Sequence, residues 1–448
     1  MTQCLSASQR ADLHAVVREW YRAQPPAQDL AAAEQFATEV GRAAAACAFE
    51  CGVQACGTRA GYHGTSVRCA CGQSARFVGY RRRWVRGVPG EVGVTRAYYH
   101  CGACHCGIVP WDAAQGLDQQ VFTPTCKALL TEVCAREGSY RQAQTVLARH
   151  HALGLEVSSL EAVVGTVGRR MRAAEDARCR AWFEKEQRPE ADPLLAQAVG
   201  QRFYVSLDAG KAHIDGSWHD VKAAACYVGE PPTPRAQAQG QTWDRAGPTR
   251  YLAIQEEAAA FGQRAYLFAL RLGYERARAT VVLGDGAEWI WKIAEHHFSD
   301  AVQILDFYHA SEHVWAISRA VFGAESGEGS AWARACSEQL QTEGVPGFLR
   351  SLRQLRGREL SAAVQEAVLR EVRYFRKNRR RLRYPEFRAA GLMIGSGPVE
   401  AACKVVIGAR LKGAGMRWSG AGADAMLVAR TALLGEQYEE IARYARAV

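Results

Sequence analysis

Two aspartates end apolar stretches of the chain and are candidate ligands for divalent metal ions. Asp208 follows the run RFYVSL, and Asp285 lies between Gly284 and Gly286 after the run ATVVL. Glycines beside a carboxylate remove side-chain bulk and let a ligand approach it. Asp-Gly and Asp-Ala-Gly are also common turn sequences, so either aspartate taken alone could serve only to form a turn.

Glu400 is a third candidate carboxylate, in the stretch IGSGPVEAACK. It is the only acid between residues 389 and 423, where the chain carries four lysines and arginines. Pro398 suits the first position of a helix, which would make Glu400 the third residue. A carboxylate there pairs with free N–H groups and with the helix dipole. A capping role therefore explains Glu400 unless other acids approach it.

Three carboxylates from two strand ends and a helix are typical of a two-metal site. They could hold two Mg²⁺ (or Mn²⁺) ions about 3.5–4 Å apart, an arrangement that promotes in-line displacement at phosphate. Mg²⁺ prefers oxygen ligands and completes its coordination with water and phosphate. The pattern therefore predicts cleavage or transfer of a phosphodiester.

The elements that would position Asp208 and Asp285 begin near residue 201. Their order is βββαβαβ, and we predict a mixed sheet with helices on both sides, since a three-strand meander is followed by strands reached through helices. The runs are, in order, RFYVSLDAG, DVKAAACYVGE, TRYLAIQEE, AAAFGQRAYLFALRLG, ATVVLGDG, AEWIWKIAEHHF and AVQILDFYH.

A cysteine cluster is the second group suited to metal binding. Eight of the fifteen cysteines lie between residues 47 and 106, and the others are scattered as free thiols would be. Two pairs, Cys69/Cys71 and Cys101/Cys104, are joined by a predicted β-hairpin, which is the layout of a zinc ribbon. The first pair has the shorter Cys-x-Cys spacing, and a β subdomain without metal is the alternative. The substitute ligands are Cys51, Cys56, His63 and Cys106.

The region after the cysteines is predicted to be helical, with Thr125, Ser139 and Ser158 as helix caps. A tight turn at Gly154 separates the last two helices, and the third is predicted to end at Arg170. Short helices joined by such a turn fit a helix-turn-helix, and ordinary helical packing fits them nearly as well.

Composition and charge favour a soluble chain of two or three domains that contacts polyanions. The 448 residues are 48% hydrophobic, and the net charge of +10 is concentrated in YRRRWVR and RYFRKNRRRLRYPEFR. Such basic runs with aromatic residues are typical of polyanion binding, although each alone also fits a solvated surface. The N-terminal residues lack the apolar core of a signal peptide, and no stretch approaches the roughly 18 apolar residues of a membrane span. We therefore expect a cytoplasmic protein with no membrane partner.

Three long motifs resemble the DDE transposases of bacterial insertion sequences, in particular the ISKra family. They are VSLDAGKAHIDGSWHDVK, VVLGDGAEWIWKIAEHHFSDAVQILDFYHASEHVW and IGSGPVEAACKVVIGARLKGAGMRWS. The resemblance implies an RNase-H-like catalytic domain in which Asp208, Asp285 and Glu400 are the metal-binding triad. Relatives usually have Asp-Gly where this chain has Asp208-Ala-Gly, which makes Asp215 the alternative. We choose Asp208 because Asp215-Gly216 better suits the turn to the second strand.

The resemblance also implies two auxiliary residues and a DNA-binding insertion. Asp306-Phe-Tyr-His309 is similar to the (Cys/Asp)-x-x-His signature of several transposase groups, in which His309 would steady the scissile phosphate or the carboxylates. Residues 312–390 would be a helical insertion that holds the end of the element. Its segment 370–388 carries nine lysines and arginines against two acids, a bias that phosphate contacts explain. The residues expected to contact DNA are Arg81, Arg82, Arg83, Arg86, Trp315, Arg376, Lys377, Arg379, Arg380, Arg381, Lys404, Arg410, Lys412, Arg417 and Trp418.

The implied activity is transposition. Water activated between two metal ions cleaves the element's end, and the freed 3′-OH attacks target DNA. Double-stranded DNA of the terminal inverted repeats and of the target would be the partners, and pairing two ends implies at least a homodimer. One alternative is an inactive, transposase-derived DNA-binding protein. A remote one is a zinc metallopeptidase, because His309-Ala-Ser-Glu-His313 matches H-x-x-E-H. It is disfavoured because His309 is expected at the end of a strand.

The predicted organisation has six segments. They are an N-terminal helical segment (1–45), a zinc-ribbon-like DNA-binding subdomain (46–115), a helical or helix-turn-helix region with a linker (116–195), the first part of the catalytic domain (196–311), the helical insertion (312–390), and the second part of the catalytic domain with C-terminal helices (391–448).

Overall fold

A computed structural model of the chain describes residues 6–23, 27–55, 61–117, 120–188, 198–355 and 357–446. The chain divides into two compact units, residues 1–128 with 445–448, and residues 129–444. The cysteine pairs belong to the first unit and the three candidate carboxylates to the second, while the finer six-segment organisation stays a prediction. In the described part of the chain, no helix is both long and apolar enough to cross a membrane.

The first unit contains a four-stranded antiparallel sheet in the order β1-β2-β3-β4. Strands β2 and β3 form the predicted long hairpin, whose register shifts at a bulge between Phe77 and Gly79. One face of the hairpin packs around Val85, Val92 and Trp111. The elements are α1 (Ala7–Arg22), α2 (Leu30–Ala55), β1 (Ser66–Arg68), β2 (Ser74–Arg86), β3 (Glu91–Cys101), β4 (Gly107–Ile108) and α3 (Pro110–Ala114).

The second unit contains a five-stranded mixed sheet in the order β7-β6-β5-β8-β9. Strands β5, β6 and β7 are antiparallel, whereas β5, β8 and β9 run parallel. The predicted βββαβαβ order is confirmed, with a short extra helix, α7, between β6 and β7. The elements are β5 (Arg202–Ile214), β6 (Ser217–Glu230), α7 (Pro234–Ala238), β7 (Arg245–Ile254), α8 (Ala258–Arg271), β8 (Ala279–Gly284), α9 (Glu288–His297) and β9 (Val302–Leu305).

The turn after β5 supports the choice between the two aspartates of the first motif. Asp215 and Gly216 connect β5 to β6 with φ values of 47° and 86°, the positive pair that a two-residue hairpin turn of this kind requires. The turn role of Asp215 is therefore confirmed. Asp208, however, does not end its strand, because β5 continues past it and pairs Asp208 with Ala223 of β6.

Helices precede and follow the sheet. They are α4 (Pro124–Arg136), α5 (Tyr140–His151), α6 (Val157–Lys185), α10 (Phe307–Phe322), α11 (Gly327–Arg353, broken at Gly344), α12 (Ala362–Lys377), α13 (Tyr384–Ala389), α14 (Gly397–Ala402), α15 (Ala409–Leu411), α16 (Gly420–Leu434) and α17 (Tyr438–Ala445). A π-helical segment, Cys403–Gly408, joins α14 to α15. Residues 312–390 are thus helical in their described part, as predicted.

The predicted helix caps are corrected at two of three positions. Ser139 caps α5 as expected and accepts a hydrogen bond from the Gln142 N–H. Thr123 rather than Thr125 caps α4, and α6 begins after Glu156 rather than after Ser158. Helix α6 also continues to Lys185, well beyond the predicted end, because no glycine or proline interrupts it after Gly168.

Gly168 controls how closely α6 approaches α16, which gives a first test of this packing. A Cβ at Gly168 would lie 2.4 Å from the carbonyl oxygen of Ala425. We expect Gly168→Ala to lower the free energy of unfolding by about 1–3 kcal/mol, because a helix backbone cannot move aside cheaply. Gly165→Ala is the matched control, since its Cβ would meet only the flexible Arg169 side chain and alanine favours the helix by about 1 kcal/mol. Equal destabilisation of both variants in urea unfolding would contradict this explanation.

Candidate functional site

Three aspartates lie at one level of three neighbouring parallel strands. Leu207 of β5 pairs with Gly284 of β8, and Gly284 pairs with Leu305 of β9. The next residue along each of these strands is Asp208, Asp285 or Asp306. The structure therefore brings together two of the predicted metal ligands and one predicted auxiliary residue. Asp208 lies at this level within a strand that continues, and β8 stops pairing with β5 at the preceding residue, Leu207.

Asp208 and Asp285 influence each other electrostatically. Burial raises the pKa of Asp208, and the negative charge of Asp285 raises it further, while hydrogen bonds from the Ala209 N–H and the Cys403 thiol lower it, as does His309. The Ala209 N–H donates to Asp208 Oδ1 at 2.7 Å. A bound cation offsets the repulsion between two partly buried carboxylates, so this pair is a suitable cation-binding site.

Asp306 has a structural role that accounts for both of its carboxylate oxygens. Its side chain is buried, and Oδ1 accepts the His309 N–H at 2.9 Å as the N-cap of α10. The other oxygen accepts the Ser396 N–H. Asp306 thus joins the start of α10 to the loop that leads to Glu400, and we correct its predicted auxiliary role from catalytic to positioning.

Glu400 lies on α14, which packs against β5 and β6. The helix begins at Gly397, so Pro398 is its second residue and Glu400 its fourth, one position later than predicted. The Glu400 side chain is 52% exposed and pairs with Lys404 at 2.7 Å. Among the described residues, only the cysteine cluster brings three or more metal-binding side chains within 4.8 Å of one another. The structure therefore does not gather Glu400 with the two aspartates.

Cys403 is a site residue that sequence reasoning missed. Burial raises the pKa of its thiol, as does the neighbouring Asp208 carboxylate, to which the thiol is hydrogen-bonded. Cys403 begins the π-helical segment that follows α14, and such segments are frequent at functional sites. The sequence spacing could have identified it, because Cys403 comes three residues after Glu400 and residues three apart on a helix lie on one face.

The H-x-x-E-H residues lie on one helix, which corrects the reason for setting the peptidase aside. Strand β9 ends at Leu305, and His309 and His313 both belong to α10. His313 Nδ1 lies 2.5 Å from Glu371 of the insertion, and His309 Nδ1 lies 3.3 Å from Glu312. Both histidines are thus paired with acids, and in the described residues they form no common ligand cluster.

The four cysteines predicted to bind zinc lie together in the first unit. All four Sγ atoms are within 4.8 Å of one another, with Cys69 3.5 Å from Cys104 and Cys71 3.6 Å from Cys101. Backbone N–H groups of Cys104 and Ala103 lower the pKa of Cys101 to about 6, which favours the thiolate of this residue, while hydrogen bonds among the sulfurs raise the pKa values of the other three thiols. The cluster could hold a metal ion such as zinc. Of the substitutes, Cys51, His63 and Cys106 lie outside this group, and Cys56 lies outside the described residues.

The arginines of the β2–β3 hairpin differ in their availability to a ligand. Arg81 and Arg82 are exposed and lie over the rings of Tyr98 and Trp84, at 3.4 Å and 4.6 Å from the ring centroids. Arg86 is half-buried. Arg83 is mostly buried and pairs with Asp112 at 2.7 Å. We therefore correct the prediction for Arg83, because its charge is neutralised inside the protein.

The basic end of the insertion is largely exposed. Arg381 is an exception, because it lies over the Trp291 ring and bonds to Gln303 and Glu295. Trp315 is half-buried and packs against the core of the second unit, and its predicted contact with DNA stays a prediction. The exposed cations here are Arg376, Lys377, Arg379 and Arg380.

Arg410 is the clearest correction to the predicted DNA-binding residues. It is 1% exposed, lies between the rings of Tyr140 and Trp418, and donates from Nε to the Cys134 carbonyl at 3.1 Å. It therefore joins separate parts of the second unit and cannot meet a phosphate. Trp418 is half-buried by this contact, whereas the other predicted cations of the segment, Lys404, Lys412 and Arg417, are exposed.

No protein-family model matches the chain, and no curated protein matches it. The functional conclusion therefore depends on the pair Asp208 and Asp285, on the exposed cations, and on the sequence motifs that contain Asp208, Asp285 and Glu400.

Proposed function

We propose that this chain is a DDE transposase, a metal-dependent enzyme that cleaves the ends of an insertion sequence and joins them to target DNA. The observation that carries the proposal is the pair Asp208 and Asp285, two mutually repelling acids at one level of adjacent parallel strands. The strand order β7-β6-β5-β8-β9 supports assignment of the sheet to the RNase-H-like fold. The partners would be double-stranded DNA and at least one further copy of the chain.

Asp208 and Asp285 would hold Mg²⁺ or Mn²⁺, which activates water and stabilises charge at a phosphate. Glu400 would complete the ligand set after leaving Lys404. An exposed i,i+4 ion pair is worth only about 0.2–0.5 kcal/mol, so coordination of a cation outweighs it. Lys404 would then be free to contact the DNA backbone. His309, which lowers the pKa of Asp208, would steady the carboxylates.

The exposed cations support DNA as the substrate. They lie at the end of α12, around the π-helical segment after Glu400 and on the zinc-ribbon-like hairpin, and clustered Lys and Arg side chains are the usual means of neutralising phosphates. An inactive DNA-binding protein derived from a transposase is the alternative. No contact of His309 or His313 favours the peptidase.

Strand cleavage tests the proposal directly. Labelled duplexes that carry the DNA flanking this coding sequence would be incubated with the protein and Mg²⁺ or Mn²⁺. Cleavage by the wild type that is lost in Asp285→Asn, with DNA binding retained, would support the proposal. Binding without cleavage by the wild type would favour the inactive alternative, and equal cleavage by both proteins would exclude the assigned site.

The exposed and buried arginines should behave in opposite ways. We expect Arg379→Ala combined with Arg380→Ala to weaken DNA binding and to reduce the slope of log affinity against log salt by up to about two, with unchanged thermal stability. Arg410→Ala is the contrasting variant, which should lower stability and leave the salt slope unchanged, because Arg410 packs internally. Fluorescence anisotropy at several salt concentrations measures both. An unaltered slope in the double variant would remove these arginines from the interface.

A further inference from the structure

The loop that carries Asp285 is held by a tyrosine of the helical insertion. Tyr374 of α12 donates its hydroxyl to the backbone carbonyl of Asp285 at 3.1 Å. Gly286 follows with φ of +101°, and a Cβ there would lie 2.6 Å from the Tyr374 hydroxyl oxygen. Glycine is therefore required for the tyrosine to approach this closely. The backbone conformation at Gly286 thus leaves room for the Tyr374 hydroxyl group.

Tyr374 is fixed from its other side by a histidine and a buried acid. Its ring stacks on the His313 imidazole with 3.7 Å between centroids. His313 Nδ1 lies 2.5 Å from Oε2 of Glu371, which is 6% exposed. A buried carboxylate that holds an imidazole restricts the orientation of its ring. The position of Tyr374 is thus set by the insertion and by α10, independently of the Asp285 loop.

The helix that carries Tyr374 also carries exposed cations. Arg376 and Lys377 follow Tyr374 on α12. A phosphate held by those cations would stabilise the helix that presents the hydroxyl.

We propose that Tyr374 is a positioning residue that orients the Asp285 carboxylate for metal binding. Through Tyr374, the orientation of this carboxylate would depend on the helical insertion that is proposed to bind DNA. The inference rests on the proposed function. Without the hydroxyl, the Asp285 loop loses its only described side-chain donor from the insertion, while the ring stack on His313 and the cations of α12 remain. The affinity for metal and the rate of cleavage should therefore fall, whereas the affinity for DNA should stay unchanged.

Tyr374→Phe tests the inference, because it removes the hydroxyl and keeps the ring. Mn²⁺ binding would be measured by electron paramagnetic resonance, with Asp285→Asn defining the signal that belongs to the site. We expect the dissociation constant for Mn²⁺, and the Mg²⁺ concentration for half-maximal cleavage, to rise about three- to tenfold, the effect of one neutral hydrogen bond. The dissociation constant for DNA should stay within about twofold.

Tyr227→Phe is the matched control. It removes a more deeply buried hydroxyl of the same unit, one that is bonded to Ser206 at 3.2 Å, and should leave Mn²⁺ affinity unchanged. Wild-type Mn²⁺ affinity in Tyr374→Phe, in a protein that cuts DNA, would overturn the inference and leave the proposed function intact. Equal losses in both tyrosine variants would also overturn it. A wild type that neither binds Mn²⁺ at Asp285 nor cuts DNA would remove the proposed function, and the inference with it.

Discussion

Asp208→Asn is expected to abolish DNA cleavage and to leave the fold at least as stable as in the wild type. The loss of a metal ligand removes several kcal/mol of transition-state stabilisation, so the rate should fall by about 10³-fold or more. Burial and the charge of Asp285 raise the pKa of Asp208 above its usual value of 3.8. The protonated form is therefore favoured in the folded state, and stability is lost as pH rises through the raised pKa. Asparagine carries no charge and escapes this loss.

Asp215→Asn is the control for that experiment, because Asp215 lies on the same hairpin. It occupies the turn with φ of 47°, a conformation that asparagine tolerates, and its carboxylate accepts the Gly420 N–H. This variant should retain most of the cleavage activity. Single-turnover cleavage and thermal unfolding without metal, between about pH 4 and pH 8, measure the two effects. A cleavage rate near that of the wild type in Asp208→Asn would exclude Asp208 as a ligand.

Cys101→Ser is expected to unfold the four-stranded sheet of the first unit. The core around the cysteines is small, and it consists mainly of Ala75, Ala97 and Tyr99 packed against Cys69 and Cys101 themselves. A core of this size does not stabilise this end of the sheet without additional links, so the binding free energy of a metal held by the four cysteines would be folding free energy. Zinc content should fall from about one ion per chain to none, and the amides of β1–β4 should lose protection from hydrogen exchange.

Cys106→Ser provides the comparison within the same turn. Cys106 is exposed and its thiol lies outside the four-sulfur cluster, so zinc and exchange protection should both be retained. Metal analysis and hydrogen exchange would be performed on both variants. Retention of zinc and of protection in Cys101→Ser would show that the sheet does not depend on this cluster.

The order of strands and helices along the chain was predictable, because the local pattern of residues determines it. Apolar runs separated by turn residues identify β5 to β9, and the Asp215-Gly216 pair identifies its own turn. The place of Asp208 within β5 was not predictable in the same way. The strand continues because β6 pairs with it beyond the point where β8 stops, and pairing between distant strands leaves no local signal.

Burial explains most of the errors in the set of residues predicted to contact DNA. Arg410 occurs in a basic stretch and is indistinguishable by sequence from Lys412, yet its partners Tyr140 and Cys134 come from helices far away in the chain. Cys403 and Tyr374 were missed for the same reason. The hydroxyl of Tyr374 meets a carbonyl 89 residues earlier, a contact that depends on the whole fold.

The chain leaves the five-stranded sheet for the helical insertion and returns from it at neighbouring positions. The Phe307 N–H donates to the Ile394 carbonyl at 2.9 Å, and Asp306 accepts the Ser396 N–H beside it. A segment whose two ends touch can be lengthened, shortened or exchanged without displacing the strands from which it emerges. Under the proposed function, changes in the insertion would therefore alter which DNA the protein binds while the sheet stays unchanged, provided that each new segment retains a donor equivalent to the Tyr374 hydroxyl.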